Sequence, residues 1–194
     1  MGKERLAAFS DGVLAIIITI MVLELRVPDG ADFASLRPLL PVLLSYVLSF
    51  LYIGIYWNNH HHLLAATDKI NGTVLWANMH LLFWLSLIPF ATEWEGHHFL
   101  SSAPTAFYGL ILLMAALAYG LLQTAILKAP GDNSLLCSAL GKDLKGKLSP
   151  ALYALAIALT LVAPWLPDIV YVGVALMWLV PDRRIENAVA NSKD

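Results

Sequence analysis

Six segments of mostly apolar residues, each near the length of a membrane helix, follow one another along the chain. A helix needs about 20 such residues to cross the hydrocarbon core of a bilayer. The pattern predicts helices at residues 4–26, 38–62, 71–94, 104–127, 148–166 and 168–183. We therefore expect an all-α integral membrane protein whose residues 1–194 form one domain of six transmembrane helices. The last two segments are the shortest, and a shallow hairpin in their place is an alternative.

Several prolines lie at the predicted starts of these segments, and one lies inside a segment. Pro38, Pro41, Pro104 and Pro150 are predicted at helix starts, where a missing N–H leaves no hydrogen bond unmade. Pro89 lies well inside the third segment, and prolines inside helices bend them. The sequence therefore predicts a kink in the third helix near Pro89.

The composition agrees with a membrane protein and excludes several other classes. The chain is 59% hydrophobic and 13% charged, against roughly 25% charged residues in soluble domains. The net charge of −2 gives no indication of nucleic-acid binding. The only cysteine, Cys137, excludes an intrachain disulfide and a cysteine-only metal site. Asp11 at the entrance of the first apolar run, with Glu24 after it, favours a retained helix over a cleaved signal peptide.

The basic residues predict the orientation, because cytoplasmic loops carry an excess of lysine and arginine. With six spans and a cytoplasmic N-terminus, the C-terminus is cytoplasmic as well. The loop at 93–104 is then extracellular, and the loop at 128–147 is cytoplasmic and could hold a short surface helix. Only Arg26 and Arg37 then lie outside, and ten basic residues lie inside: Lys3, Arg5, Lys69, Lys128, Lys142, Lys145, Lys147, Arg183, Arg184 and Lys193.

Several polar residues stand on the first predicted helix. At about 100° per residue, Ile16, Thr19, Ile20 and Leu23 share one face. Asp11 points roughly 130° from the centre of that face, and Ser10 points as far on the other side. A carboxylate at membrane depth costs several kcal/mol unless it is paired or hydrated. Possible partners are Arg5, the histidines at the end of the second helix, and Asn78 or His80; an interfacial position in water is the alternative.

Three stretches resemble a known family. "RLAAFSDGVLAIIITIMVLEL" (residues 5–25) is similar to the first-helix signature of the transmembrane protein 175 family, the endolysosomal potassium channels and their prokaryotic relatives. "YWNNHHHLL" (56–64) resembles the end of that family's second helix, and "NMHLLFWLSLIPFAT" (78–92) its third. These stretches cover about the first half of the chain, and the remainder resembles the family only in helix number and length.

The resemblance implies a homotetramer in a prokaryotic plasma membrane, with the first helices around a central pore. It implies selective, leak-like conduction of potassium ions, the permeant partner, through self-assembled subunits in a lipid bilayer. By position, Ile16 would form an apolar constriction, Thr19 a hydroxyl layer beside it, and Ile20 and Leu23 further rings facing the pore. No enzyme activity and no cofactor are expected.

The resemblance also implies a polar network that holds the first helix against the second and third. Its members would be Arg5, Ser10, Asp11, Trp57, His60, His61 and Asn78. The direction of Asp11 agrees with this position. An ideal helix places Arg5 on the side of Ile16 instead, so either the first turn is irregular or Arg5 reaches the cytoplasmic mouth of the pore.

Two other functions remain as alternatives. A secondary transporter would carry internal repeats and broken helices, and we find no repeat and only Pro89 as a break. A bis-histidine haem site of a membrane oxidoreductase could form from His60 or His61 with His80. The consecutive residues His60, His61 and His62 splay by about 100° each on a helix and cannot all bind one metal ion.

Overall fold

The computed structural model describes residues 2–67, 69–130 and 143–179, and every regular element within them is helical. The all-α prediction is therefore confirmed. A short 3₁₀ helix, Phe33–Leu39, precedes the second of seven α-helices. These are α1 (Lys3–Leu23), α2 (Leu40–Ala65), α3 (Gly72–Ser86), α4 (Ile88–His97), α5 (Ser102–Leu127), α6 (Leu144–Leu159) and α7 (Leu166–Leu179).

The third predicted helix is broken into α3 and α4, so the seven helices correspond to six segments. Pro89 is the second residue of α4, and the break between the two helices lies at Leu87, directly before α4 begins. Proline has no N–H to donate, and its ring crowds the carbonyl four residues earlier, that of Leu85. The Leu87 N–H instead bonds the Trp84 carbonyl at 3.2 Å. The kink predicted near Pro89 is confirmed.

Four helical stretches of the described residues are long and apolar enough to cross a membrane: Lys3–Leu23, Phe33–Ala65, Gly72–His97 and Ser102–Leu127. The helices α6 and α7 have 16 and 14 residues. At about 1.5 Å per residue, α6 measures about 24 Å, less than a hydrocarbon core of about 30 Å, and the described part of α7 covers about 21 Å. A shallow hairpin of α6 and α7 therefore stays an alternative to two complete spans.

Several predicted boundaries were wrong. The fifth helix begins at Leu144, four residues early, because the Asp143 carboxylate caps it by accepting the Gly146 N–H at 2.9 Å. Pro150 therefore lies inside α6 and not at its start. The first helix ends at Leu23, three residues before the predicted end at 26.

The 3₁₀ helix before α2 was not predicted. Its first turn is held by Asp32, whose carboxylate accepts the backbone N–H of Ser35 at 3.0 Å and its hydroxyl at 2.6 Å. These hydrogen bonds from Ser35 hold the pKa of Asp32 below its ordinary value. A cap therefore starts this helix ahead of the apolar run that marks α2.

Three predictions fall on residues outside the described ranges. They are the short surface helix in the 128–147 loop, of which residues 131–142 are not described, the cytoplasmic position of Lys142, Arg183, Arg184 and Lys193, and the end of the sixth helix at residues 180–183.

The helices pack around a core to which α5 contributes most. α5 contacts α3, α4, α6 and α7, whereas α1 lies at the side of the bundle against α2, α3 and α4. The Lys3 ammonium group donates to the carbonyls of Ala65 at 2.8 Å and Thr67 at 3.0 Å. A cation at a helix C-terminus bonds carbonyls that lack helical partners. This contact fixes the start of α1 beside the end of α2.

Candidate pore helix and polar network

The α1 helix divides its residues between two opposite surfaces. One stripe, with residues every three or four positions, packs into the protomer, as is typical of an amphipathic helix. The opposite sector is left exposed along its whole length. The stripe that packs inside consists of Leu6, Ser10, Leu14, Ile17 and Met21.

The predicted pore-facing residues all lie in the exposed sector. Ile16 is 58% exposed, Ile20 is 42% exposed and Leu23 is 78% exposed. Thr19 is exposed as well, and its hydroxyl donates to the Ile16 carbonyl at 2.9 Å. Because the proton of this hydroxyl is engaged by the helix, its oxygen remains available to accept or to coordinate outside the protomer.

A buried hydrogen-bonded chain joins α1 to α3 and α2. Asn78 of α3 is 0% exposed and stands at its centre. Its amide nitrogen donates to the Ser10 hydroxyl of α1 at 3.0 Å, and its amide oxygen lies 2.7 Å from Nε2 of His60 on α2. The Ser10 hydroxyl in turn donates to the Leu6 carbonyl at 3.0 Å. Three of the predicted network residues are thus connected.

A second contact joins α1 to α2. The indole N–H of Trp57 donates to the Asp11 carboxylate at 3.0 Å. Asp11 is half-buried. The hydrogen-bond partner of Asp11 is therefore a tryptophan, and neither a histidine nor Arg5.

Arg5 and His61 lie apart from these hydrogen bonds. Arg5 is exposed and makes no hydrogen bond or ion pair with any residue that the structure describes. His61 is exposed, and its ring centre lies 6.2 Å from that of Trp57. Within one protomer the geometry does not connect either side chain to the chain through Asn78, so their roles in the network stay predictions.

The two histidines of the haem alternative face different partners. His60 is bonded to Asn78, whereas Nε2 of His80 accepts the indole N–H of Trp84 at 2.9 Å. Because each Nε2 is already engaged, the structure gives no support to a bis-histidine site between them.

A groove runs beside the exposed sector of α1, between α1 and the segment that contains the α3–α4 break. Ile16 and Ile20 form part of one wall, and Pro89 and Phe90 part of the other. The predicted constriction residue thus borders both open space and the kink. The complete lining is Val13, Ile16, Ile17, Ile20, Glu24, Ser86, Pro89, Phe90 and Glu93.

A buried polar cluster near the far end of the bundle was missed by the sequence reasoning. Glu95, predicted in an extracellular loop, lies in α4 and is 4% exposed. Its carboxyl group lies beside the Asp168 carboxyl group on α7. Nearby, the Ser49 hydroxyl bonds those of Thr92 at 2.7 Å and Tyr108 at 2.9 Å. Because Thr92 and Glu95 are polar, the apolar spacing of this segment did not show that the helix continues past Trp94.

Replacing Asn78 by alanine is expected to lower the free energy of unfolding by about 1–3 kcal/mol. The change leaves the buried Ser10 hydroxyl and the His60 ring without their partner, and an unpaired buried polar group is costly. Thermal unfolding of the purified protein in detergent measures the loss. The control is Asn58→Ala, which truncates an exposed asparagine on α2. Equal unfolding temperatures for the two variants would contradict a bracing role for Asn78.

A family model described as "Endosomal/lysosomal potassium channel TMEM175" matches residues 5–89, the part that contains α1, both polar contacts and the kink. A potassium channel of Chryseobacterium sp. (strain P1-3) is 53% identical over 189 residues, which are 97% of this chain and 98% of the relative. The chain belongs to the TMEM175 family. The resemblance read from the three stretches is confirmed.

Two further TMEM175 proteins are similar to this chain, one in structure and one in sequence. The crystal structure of a lysosomal potassium-selective channel TMEM175 homolog from Chamaesiphon minutus matches with a TM-score of 0.82 and 28% identity. The match covers 93% of this chain and 97% of that one. The mouse protein, named an endosomal/lysosomal proton channel, is 34% identical over 105 residues, 48% of this chain but 21% of the mouse protein. The fold over almost the whole chain is thus that of a multi-pass membrane channel family, which is not an enzyme family.

Proposed function

We propose that this chain is the subunit of a homotetrameric, leak-like potassium channel of the plasma membrane. Its bacterial relatives are named potassium channels, and the solved homolog is named potassium-selective. Potassium ions, the lipid bilayer and identical subunits are the partners in this proposal. The described helices hold no series of arginines of the kind that senses voltage, so conduction without voltage gating follows.

The observation that carries the proposal is the exposed sector of α1. This sector presents three aliphatic residues, Ile16, Ile20 and Leu23, and the hydroxyl of Thr19 lies on the same face. Lipid alone would not require a hydroxyl among these aliphatic side chains. Four such faces around a common axis would make rings of aliphatic side chains with one ring of hydroxyl oxygens.

A line of small exposed residues next to this face supports close assembly. Ala8, Gly12 and Ala15 recur at spacings of four and three positions and are all exposed in the protomer. Small residues at this spacing let membrane helices approach one another closely. A neighbouring subunit could therefore contact α1 along this line while the larger residues face the axis.

Ion passage in this arrangement depends on dehydration. A narrow ring of Ile16 side chains excludes water, so an ion must lose part of its hydration shell there. Potassium releases water at lower cost than sodium, and the Thr19 hydroxyls supply oxygens next to the neck. Such a neck favours potassium without the dense carbonyl cage of other potassium filters. The contacts of Ser10 and Asp11 hold α1 from behind and keep the ring narrow.

Purified protein in liposomes tests the proposal directly. With potassium inside and sodium outside, we expect potassium efflux that a protonophore accelerates, because proton entry then balances the charge. Single-channel steps in planar bilayers and a mass of four copies by native mass spectrometry are expected as well. A protein that stays silent under all gradients would contradict the proposal, and coupled fluxes of fixed stoichiometry would favour the secondary transporter.

Proton conduction is the second candidate, because the mouse relative is named a proton channel. A narrow neck can hold a chain of water molecules that carries protons without passing an alkali cation. A pH-sensitive dye trapped in the same liposomes separates the two permeant ions. Acidification of the lumen when valinomycin carries the compensating potassium outward, together with no potassium efflux when a protonophore replaces valinomycin, would favour protons.

A further inference from the structure

We propose that Glu95 and Asp168 share a single proton, and that this proton holds the end of α4 against the start of α7. Glu95 is 4% exposed and Asp168 is half-buried, and their carboxyl groups lie side by side. Neither residue lies on α1 or lines the groove beside it. The pair is therefore separate from the proposed pore face and from the contacts of Asn78.

Two negative charges at this place would repel each other without compensation. No lysine, arginine or histidine of the described residues forms an ion pair with either carboxyl group. Repulsion between adjacent charges is stronger in a protein interior than in water, and two carboxyl groups that share a site hold one proton between them. A single proton removes the repulsion and lets one carboxyl group donate a hydrogen bond to the other.

The helix ends indicate which carboxyl group carries the proton. Glu95 lies in the last turn of α4, where the partial negative charge of the free carbonyls disfavours an anion. Asp168 lies in the first turn of α7, where the free N–H groups favour one. Glu95 is also the more deeply buried of the two. The proton therefore resides on Glu95, and the negative charge on Asp168.

The surrounding helices supply no counter-charge. The titratable side chains next to the pair and directly behind it are phenols, which are neutral below about pH 10. They are Tyr108 of α5, Tyr171 of α7, Tyr52 of α2 and Tyr153 of α6. On the side of α1, the groove presents Glu24 and Glu93, which are acidic as well. A proton is thus the available source of positive charge among the described groups.

The oxygen atoms around the pair are too few for a divalent metal ion, which takes about six to eight oxygen ligands when it is calcium. The hydroxyls of Ser49, Thr92 and Tyr108 bond one another, and that of Tyr171 donates to the Thr105 carbonyl at 3.0 Å. The Thr105 hydroxyl is buried and has no hydrogen-bond partner among the described residues. It is therefore a remaining donor in this region, but one hydroxyl and two carboxyl groups do not make a calcium site.

The position of α4 gives the shared proton a structural consequence. Asp168 is half-buried, so the solution on the side predicted to be extracellular reaches the pair. Loss of the proton leaves two adjacent negative charges, which separate α4 from α7. Because α4 also carries Pro89 and Phe90 in the wall of the groove opposite Ile16, this separation would reach the pore. That last step rests on the proposed function, whereas the sharing of a proton does not.

Infrared spectroscopy of the purified protein tests the proposal, in a detergent without ester groups. A protonated carboxyl group has a C=O stretching band that an ionised one lacks. We expect this band at pH 7 in the wild type and its loss in Glu95→Gln, which keeps the size and the hydrogen-bonding capacity of the side chain. In Asp168→Asn the proton affinity of Glu95 should fall at least about tenfold, because the neighbouring negative charge is gone.

The matched control is Glu93→Gln, which removes a half-buried carboxyl group from the same helix and should keep the band. A wild type without the band at pH 7, or a band that survives in Glu95→Gln, would overturn the proposal. An unchanged titration in Asp168→Asn would also overturn it, since burial alone would then hold the proton. Calcium chloride that abolishes the band of the wild type at neutral pH would identify a metal ion as the occupant instead.

Thermal unfolding in the same detergent gives a second measurement. A proton held by the folded protein and released by the unfolded one stabilises at low pH, and this stability is lost as the pH rises. Between about pH 6 and about pH 9 the unfolding equilibrium constant of the wild type should rise by up to about tenfold per pH unit relative to Glu95→Gln. Glu93→Gln should behave as the wild type does. Equal pH dependence in the wild type and Glu95→Gln would contradict the proposal, and neither measurement depends on ion conduction.

Discussion

Replacing Ile16 by alanine is expected to raise the potassium conductance about tenfold and to reduce the preference for potassium over sodium. The change removes the branched side chain from each of four subunits at the proposed neck, so an ion keeps more of its hydration shell there. Lowering the barrier by about 1.4 kcal/mol accounts for a tenfold rate. Planar-bilayer recordings under a potassium/sodium gradient give both the conductance and the reversal potential.

The matched control is Val22→Ala on the same helix. Val22 is exposed like Ile16, but it points about 110° from the centre of the proposed pore face. It should leave conductance and selectivity unchanged. If Ile16→Ala behaves like Val22→Ala while the wild type conducts, the pore is lined by a different face of α1. The family assignment would stand, but the role of Ile16 would be lost.

Replacing Gly109 by alanine is expected to lower the free energy of unfolding by about 3 kcal/mol. Gly109 lies in α5 where the Tyr171 ring of α7 presses on the helix. A Cβ atom there would overlap the Tyr171 hydroxyl oxygen and approach its Cζ to 2.9 Å and Ile157 Cγ1 to 3.0 Å. Overpacking of this kind costs typically 1–3 kcal/mol. Displacing the Tyr171 hydroxyl from its hydrogen bond to the Thr105 carbonyl, 3.0 Å long, adds about 1 kcal/mol.

Gly120→Ala in the same helix is the control, and the sign of its effect should be opposite. Its Cβ position is open, and alanine in a helix is favoured over glycine by roughly 0.5–1 kcal/mol. Unfolding in detergent, followed by circular dichroism, measures both variants. The double variant Gly109→Ala/Tyr171→Phe should lose less than the sum of its single variants, because the overlapping oxygen is gone. Strict additivity, or a Gly109→Ala variant as stable as Gly120→Ala, would contradict the proposed overlap.

The sequence predicted the architecture because the helices are long and the bilayer requires a fixed length of apolar residues. The positions of α2 and α5 and the kink at Pro89 followed from hydropathy and from the missing N–H of proline. The family followed from three motifs. A predicted helix boundary was wrong where a local cap sets the start of the helix, as at Asp143. The capping hydrogen bond there starts the helix ahead of the apolar run that hydropathy detects.

For the candidate site as well, some features could be predicted from the sequence and others could not. Helical spacing alone placed Ile16, Thr19, Ile20 and Leu23 on one face and Ser10 away from it, and the structure leaves that face exposed and buries Ser10. Which donor meets Asp11 could not be predicted, because that depends on how α2 rotates against α1. Trp57 fulfils this role, whereas Arg5 and His61 lie apart.

By itself, then, the sequence determined that the chain enters a membrane and approximately where its helices lie, since these depend on residue type and local periodicity. Which face of α1 is free was decided by the tertiary structure, because residues 13–23 are almost all apolar and favour no single stripe. The tertiary structure alone decided that Asn78 joins Ser10 to His60, that Glu95 is buried beside Asp168, and that five aromatic rings from four helices line a common space. Each of these brings together residues from helices distant in sequence, and their contact depends on packing that no local pattern contains.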